Sequence, residues 1–280
     1  FKDKTIWITG ASSGIGAALA IQFNALGAKV IVSARRIEKL IDLKSKCKFK
    51  KALIPIPLDI KDQEGIDFAI SEVKKMGPLH LMIHNAGIAQ KGLVINTSLK
   101  VDRAIMETNY FGTIALTKAV LPIFISQKFG WFAIVSSISG VVGIPGRSAY
   151  AASKHALQGF FESLRAENFD CKLNISMIIP GFINTEITLK ELCGDGTPYG
   201  KFEKSHLLGI SAEQCAEKII HGLERKRNYI SIGKFELIGI YIHRFSRILY
   251  NYLIKQNPMK RWRNFMNYFE VKHASVIQQG

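Results

Sequence analysis

The run Thr5-Ile6-Trp7-Ile8, followed by Thr9-Gly10-Ala11-Ser12-Ser13-Gly14-Ile15-Gly16, constrains the fold more than any other stretch. A short apolar strand pattern breaks at a turn with three glycines, and a helical pattern then continues through Leu26. Strand, glycine turn and helix in that order are the context in which a glycine motif points to a phosphate site rather than to a turn without a ligand. Glycine lets the backbone approach an anion, and the helix N-terminus offers unpaired N–H groups at the positive end of its dipole. Ala28-Lys29-Val30-Ile31-Val32-Ser33 reads as the second strand of a βαβ unit, which predicts a parallel sheet.

A dinucleotide site selective for NAD places an acidic side chain near the end of this second strand, against the ribose 2′-hydroxyl. Here Ala34 stands in that place, followed by Arg35 and Arg36. A carboxylate would repel a 2′-phosphate, whereas a guanidinium pairs with it in bidentate fashion, so NADP(H) is favoured. Residues 52–58 predict a third strand, with Pro55 and Pro57 placing it at a sheet edge or making its ends irregular, and it runs into Asp59-Ile60. A helix over 63–75 stops at Gly77-Pro78, and a fourth strand over 79–83 runs into Asn85-Ala86-Gly87.

The chemistry is concentrated further on. Trp131-Phe132-Ala133-Ile134-Val135 is strand-like and ends at Ser136-Ser137-Ile138-Ser139-Gly140. Thirteen residues after Ser137, Tyr150 opens a helix-forming run, with Lys154 one turn along on the same face. A free tyrosine, with a pKa of about 10, is a poor acid or base at neutral pH. A neighbouring ammonium favours the phenolate and moves that pKa toward the working range, and a hydroxyl at Ser137 can hydrogen-bond a substrate carbonyl oxygen.

Ser137 with Tyr-x-x-x-Lys, the Thr-Gly-x-x-x-Gly-x-Gly turn and Asn-Ala-Gly resemble the motifs of the short-chain dehydrogenase/reductase family, as does Pro180-Gly181-Phe182-Ile183-Asn184-Thr185 after the strand 174–179. The resemblance spans residues 5–185 in the family's order. It implies catalytic roles for Asn109, Ser137, Tyr150 and Lys154, with Asn109 as a helix-kinking residue that holds a water linking Lys154 to solvent. It further implies cofactor contacts from Gly10, Ser12, Ser13, Gly14, Ile15, Gly16, Arg35, Arg36, Asp59, Ile60, Asn85, Ala86, Gly87, Tyr150 and Lys154. Pro180, Gly181, Ile183 and Thr185 would line the nicotinamide side. The rival within this reading is a non-catalytic NADP(H)-binding sensor or membrane-associated scaffold, for which loss of Tyr150 or Lys154 would be the expected signature.

Residues 187–209 read as a mobile segment in the place of the family's substrate lid, and Ser211-Ala212-Glu213-Gln214 as a capping box opening a helix to about Arg225. Tyr229–Ile232 reads as the last strand. The net charge of +16 is uneven: residues 225–280 hold 11 Lys/Arg against Glu236 and Glu270. Across 235–256, Glu236, His243, Arg244, Arg247, Asn251 and Lys255 share one helical sector, and Phe235, Ile238, Ile242, Phe245, Leu249 and Leu253 the opposite one. Lys260-Arg261-Trp262-Arg263-Asn264-Phe265 and Tyr268-Phe269 add cations among aromatics. This fits an anionic membrane interface or packing on a core or second subunit; no nucleic-acid module is recognisable.

The four cysteines lack metal-ligand spacing and fit free thiols in a reducing compartment; no metal is expected. No signal peptide is visible and no apolar run reaches the ~18 residues of a membrane span, so a cytoplasmic location is expected, peripheral to a membrane if the tail binds lipid. The chain begins at Phe1, and an anchor upstream stays open.

The expected fold is α/β: a doubly wound, mainly parallel Rossmann-type sheet with helices on both faces. Residues 1–234 form the NADP-binding domain and 235–280 a basic amphipathic helical extension. The expected reaction is reversible hydride transfer between NADP(H) and a carbonyl/secondary-alcohol pair. By resemblance to hydroxysteroid-dehydrogenase-like or lipid-type members the substrate is hydrophobic, and the protein a homodimer or homotetramer.

Overall fold

The computed structural model describes residues 1–167, 171–201 and 209–255. The chain divides into two compact units, Phe1–Leu237 and Ile238–Gly280.

In the first unit, β1 (Thr5–Thr9), α1 (Gly14–Ala25), β2 (Lys29–Ala34), α2 (Ile37–Ser45), β3 (Leu53–Pro57), α3 (Gln63–Lys74) and β4 (Leu81–His84) form the first half. There follow α4 (Leu99–Met106), a π-helical turn (Glu107–Phe111), α5 (Gly112–Ser126), β5 (Phe129–Val135), α6 (Ser148–Ala166) and β6 (Lys172–Pro180). The two-residue strands β7 (Ile183–Asn184) and β8 (Ile210–Ser211) pair with each other, and α7 (Ala212–Glu224) and β9 (Tyr229–Ile232) complete the unit.

Seven strands make one sheet in the order β3-β2-β1-β4-β5-β6-β9, every pairing parallel. The proline-bearing β3 lies at an edge, where a missing N–H costs least. Strand order reverses between β1 and β4. In an open parallel sheet the crevice at the carboxyl ends of the strands beside such a reversal is where ligands bind.

Side chains alternate between two helix layers. Ile6 and Ile8, Val30 and Val32, and Leu81 and Ile83 face the layer that includes Leu19 and Phe23 of α1, Leu40 and Leu43 of α2, and Ile219 and Leu223 of α7. Trp7, Ile31, Met82, Phe132 and Ile134 face the other, with Ile66, Ala69 and Val73 of α3, Leu116, Val120 and Phe124 of α5, and Leu157, Phe161 and Leu164 of α6. A strand buried on both faces reads as the near-continuous apolar run seen in the sequence. Each fully buried large side chain contributes about 1.5–3 kcal/mol relative to exposure. Trp7 satisfies its indole N–H on Ser33 Oγ at 2.9 Å. The helical stretch Leu99–Ser126 is long and apolar enough to cross a bilayer, yet Leu116, Val120 and Phe124 on it are buried in the second layer.

The capping box at α7 is complete: Gln214 N–H donates to Ser211 Oγ at 3.1 Å, and Ser211 N–H donates back to Gln214 Oε1 at 3.2 Å. The segment expected to be mobile is tied down over its first part. Glu186–Lys190 is a 3-10 turn, and Leu192 N–H donates to Ala89 O at 2.9 Å while Tyr199 N–H donates to Glu191 O at 2.8 Å. Residues 202–208 of that segment lie outside the described residues.

Among its described residues the second unit has two helices, α8 (Ile238–Phe245) and α9 (Arg247–Lys255), separated at Ser246. The Ser246 hydroxyl accepts the N–H of Leu249 at 3.2 Å, the N-cap role that serine favours, so the helix restarts there. His243 of α8 and Tyr250 of α9 meet edge to face, with ring centroids 4.9 Å apart. Glu236, placed by the sequence on the charged sector of the extension, belongs to the first unit: its carboxylate accepts the N–H of Phe182 at 3.0 Å. The basic-aromatic stretch 260–269 lies outside the described residues.

Candidate active site

The glycine turn follows β1, at the strand-order reversal. Gly10 and Gly14 take left-handed backbone angles (φ 65° and 56°), which side chains disfavour. A Cβ on Gly16 would come within 2.5 Å of Asn85 Nδ2 and 2.6 Å of Gly10 O, and one on Gly10 within 2.7 Å of Ala86 Cα. Two of the three glycines are therefore required by packing against Asn85-Ala86, whatever they do for a ligand. Ser13 is the N-cap of α1 in extended conformation with no side-chain cap bond, and Ser12, Ser13, Gly14 and Ile15 are partly exposed. The first-turn N–H groups of α1 are thus not capped by Ser13.

Arg35 and Arg36 follow β2 directly and are exposed; Arg36 is the N-cap of α2. Asp59, partly exposed beyond β3, accepts the N–H of Lys61 at 3.1 Å. Ile60 points the other way. Its side chain is in the core, and a Cβ on Gly112 would meet it at 2.8 Å. Pro180 and Ile183 are also buried. Thr185 lies beside the glycine turn, its Cγ2 3.2 Å from a Cβ position on Gly14, so the loop after β6 and the turn after β1 share one site.

Ser137, Tyr150 and Lys154 converge at the end of β5. Ser137 Oγ accepts the N–H of Ser139 at 3.1 Å and is hydrogen-bonded to the Tyr150 phenol. Lys154 is buried; its Nζ donates to Val135 O at 2.9 Å and lies 5.7 Å from the centre of the Tyr150 ring. Burial pushes the Tyr150 phenol up from its ordinary value of 10, against the downward pull of the Ser137 hydrogen bond and the Arg147 guanidinium. Burial alone pushes the Lys154 ammonium down, to about 8. The sequence reading made Lys154 the group that lowers the tyrosine. In the structure the Ser137 hydrogen bond and the Arg147 guanidinium also pull it down, while the Lys154 ammonium lies 5.7 Å from the ring centre and donates to the Val135 carbonyl.

Asn109 lies fully buried in the π-helical turn between α4 and α5. Its Oδ1 accepts the N–H of Ile88 at 2.8 Å, and its Nδ2 donates to Ile88 O at 2.9 Å and Ser153 Oγ at 3.0 Å. Both amide protons are committed, so the side chain clamps the turn after β4. Beside it Gly87 is exposed. A Cβ there would stand 3.1 Å from Asn109 Oδ1 and 3.6 Å from Lys154 Nζ, and only glycine leaves that space open above the ammonium.

Three residues in this framework escaped the sequence reading. Thr9 Oγ1 accepts the N–H groups of Asn85 and Ala86 at 3.1 and 3.2 Å. Arg147 and Glu191 form an ion pair beside Tyr150. Thr9 had a signal, since it opens the glycine motif; Glu191 had none, because nothing local marks a surface-type carboxylate as buried. Among the described residues no cluster of His, Cys, Asp and Glu could hold a metal.

The partly exposed residues that follow the strands, the left-handed glycines at a helix start without a side-chain cap, and the open space over Gly87 fit a dinucleotide. Comparisons with known proteins agree. A family profile described as short chain dehydrogenase matches residues 4–192. Dehydrogenase/reductase SDR family member 7B of Bos taurus is 35% identical over 268 residues, covering 92% of this chain and 82% of the relative. Dehydrogenase/reductase SDR family protein 7-like of Drosophila melanogaster is 36% identical over 264 residues, covering 92% and 81%. Among solved structures, a short-chain dehydrogenase from Streptomyces avermitilis has a TM-score of 0.77 at 26% identity, covering 94% of this chain and 99% of that one. One from Burkholderia cenocepacia J2315, in complex with NADP, has a TM-score of 0.75 at 25% identity, covering 90% and 98%. With its parallel sheet, glycine turn and Ser–Tyr–Lys cluster, the chain belongs to the short-chain dehydrogenase/reductase family of oxidoreductases.

Proposed function

We propose that this chain interconverts a carbonyl compound and a secondary alcohol with NADP(H). The observation that carries the reading is the convergence of Ser137, Tyr150 and Lys154 beside exposed Gly87, at the strand ends that also carry the glycine turn. NADP(H), when bound, supplies or takes up the hydride.

The chain's own part is binding and proton handling. Gly10, Ser12, Ser13, Gly14, Ile15 and Gly16 would hold the pyrophosphate, and Arg35 and Arg36 the 2′-phosphate. Asp59 and the Ile60 backbone would take the adenine. Asn85, Ala86, Gly87, Lys154 and the 180–185 loop would receive the nicotinamide half. Ser137 Oγ accepts from Ser139 N–H, which holds the hydroxyl in place, and its one proton, directed at the Tyr150 oxygen in the free site, would turn to the substrate oxygen when substrate binds. Tyr150, kept as a phenol by burial, is in the form that protonates that oxygen during reduction. The Lys154 ammonium opposes the charge left on the phenolate. Asn109, through Ile88 and Ser153, keeps the Gly87 turn and α6 in register.

NADP(H) over NAD(H) rests on Arg35 and Arg36 and is supported by the NADP bound to the Burkholderia cenocepacia relative. A hydrophobic, lipid-like substrate and contact with an anionic membrane rest on the second unit. There Tyr241, Phe245, Ile248 and Tyr252 are exposed among Arg244, Arg247 and Lys255. The assembly proposed is a homodimer or homotetramer, which sedimentation would read directly.

The test is a titration with NADPH and NADH, followed by NADPH oxidation against hydrophobic ketones, steroids, retinals and keto-sphingoid bases. Turnover of one class with NADPH preferred is the expected result. Tight NADPH binding with no turnover across the panel would favour a non-catalytic NADP(H) binder.

A further inference from the structure

Three separate stretches meet beside Tyr150. The turn after β4 contributes Ala89 to Ser98, the residues before α6 contribute Gly146 and Arg147, and the segment after Thr185 contributes Leu189 to Gly200. They are stitched by isolated ladder bonds: Lys91 N–H to Leu192 O at 2.8 Å, Gly92 N–H to Gly146 O at 2.9 Å, and Ser98 N–H to Gly194 O at 2.9 Å. Lys91 Nζ also reaches the Tyr199 hydroxyl at 2.9 Å. At the centre, the Arg147 guanidinium grips the Glu191 carboxylate with both prongs, Nη1 to Oε1 at 2.6 Å and Nη2 to Oε2 at 3.3 Å. Glu191 is wholly buried and Arg147 is 13% exposed.

A planar bidentate pair of this kind fixes orientation as well as distance, which a single hydrogen bond does not. Arg147 is the N-cap residue of α6, and its carbonyl accepts the N–H of Ala151, next to Tyr150. The pair therefore joins the segment after Thr185 to the first turn of the helix that carries Tyr150 and Lys154. Both charges also act on the phenol, Arg147 favouring its ionisation and Glu191 opposing it. Among the described residues, Ser137 and the Lys154 ammonium also face it.

We infer that Arg147 and Glu191 are positioning residues: a buried clasp that holds the 187–200 segment against the catalytic helix and sets the charge balance at Tyr150. The inference deepens the oxidoreductase reading and rests on Tyr150 as its acid–base group.

Its test needs no turnover. Tyrosine labelled with 13C at Cζ reports Tyr150 ionisation by NMR, with the resonance assigned from Tyr150→Phe, and limited proteolysis reports the anchoring of residues 187–200. Glu191→Gln keeps the shape of the pair and leaves a net cation, so the Tyr150 midpoint should fall, by about half a unit or more. Arg147→Gln leaves the carboxylate facing the phenol, so the midpoint should rise. The double variant Arg147→Gln/Glu191→Gln removes both charges of the pair, guards against a misfolded single variant, and should return the midpoint close to wild type. In all three, cleavage within 187–200 should quicken several-fold while NADPH affinity stays within about two-fold of wild type. Shifts of the same sign in both single variants, or no shift with unchanged proteolysis, would overturn the clasp. Opposite shifts in a protein that turns over no carbonyl or alcohol would uphold it and sink the oxidoreductase reading instead.

Discussion

The side-chain amide of Asn85 donates to the carbonyls of both Thr9, at 3.0 Å, and Gly10, at 3.1 Å, while Thr9 Oγ1 accepts the Asn85 and Ala86 N–H groups. The ends of β1 and β4 are thereby latched where the strand order reverses, and the shape of the glycine turn depends on an asparagine 75 residues beyond Gly10. Asn85→Ala should cost about 1–3 kcal/mol by leaving backbone carbonyls without a donor. Gly16→Ala, whose methyl would press on the same amide, should cost about as much by overpacking. Urea unfolding midpoints check both, and NADPH affinity should fall with each.

Tyr150→Phe should abolish turnover and leave NADPH binding within about two-fold, because the ring stays and only the transferable proton is lost. Stopped-flow oxidation and a fluorescence titration separate the two effects; near-normal turnover would contradict the mechanism.

Burial lowers the Lys154 ammonium to about 8, so the cation is present at neutral pH and lost as pH rises through that value. Reductive kcat/KM should therefore decline with an alkaline limb near pH 8. Lys154→Arg, which cannot lose its proton in that range, should remove the limb even if its absolute rate is lower.

Replacing Arg35 and Arg36 with Ala should weaken NADPH about 10-fold or more and NADH by less than about three-fold, since a charge-assisted pair to the 2′-phosphate exists only for the former. Equal losses in isothermal titrations would contradict the assignment.

His84 is fully buried and neutral, its imidazole pushed down to about 3 by burial. Thr117 gives its hydroxyl proton to Thr113 O at 2.8 Å and so accepts from His84 Nε2 at 3.0 Å, which assigns the Nε2–H tautomer. Between about pH 6.5 and pH 3 the unfolded chain binds a proton that the folded one refuses. Stability from this residue is complete above that window and lost as pH falls through it, by about 2 kcal/mol already at pH 5. His84→Phe, which stacks on Phe132 without titrating, should show a shallower fall in urea midpoint from pH 7 to pH 5.

Much of this was legible because its determinants are local. The glycine turn, the apolar strand runs and the Tyr150–Lys154 spacing each carry their meaning within a dozen residues. Alternation was harder to see, since strands buried on both faces show no polar side. In the tail, helical periodicity runs through Ser246, and the hydroxyl that caps the next turn marks where one helix ends and the next begins. Glu191 and Asn109 show the other limit. What buries them is contact with residues 21 to 44 positions away, and no pattern in their own neighbourhood states it.

Glu236 gives the joint between the two units a definite address. Its carboxylate accepts the N–H of Phe182 inside the loop that ends at Thr185, so the last residues before the tail are a structural part of the site rather than a tether. A chain ended after Leu237 retains that acceptor; one ended after Lys234, where composition alone would cut, leaves Phe182 without it. The shorter chain should unfold at lower urea, with a loss of about 1–3 kcal/mol, although it differs by only Phe235, Glu236 and Leu237.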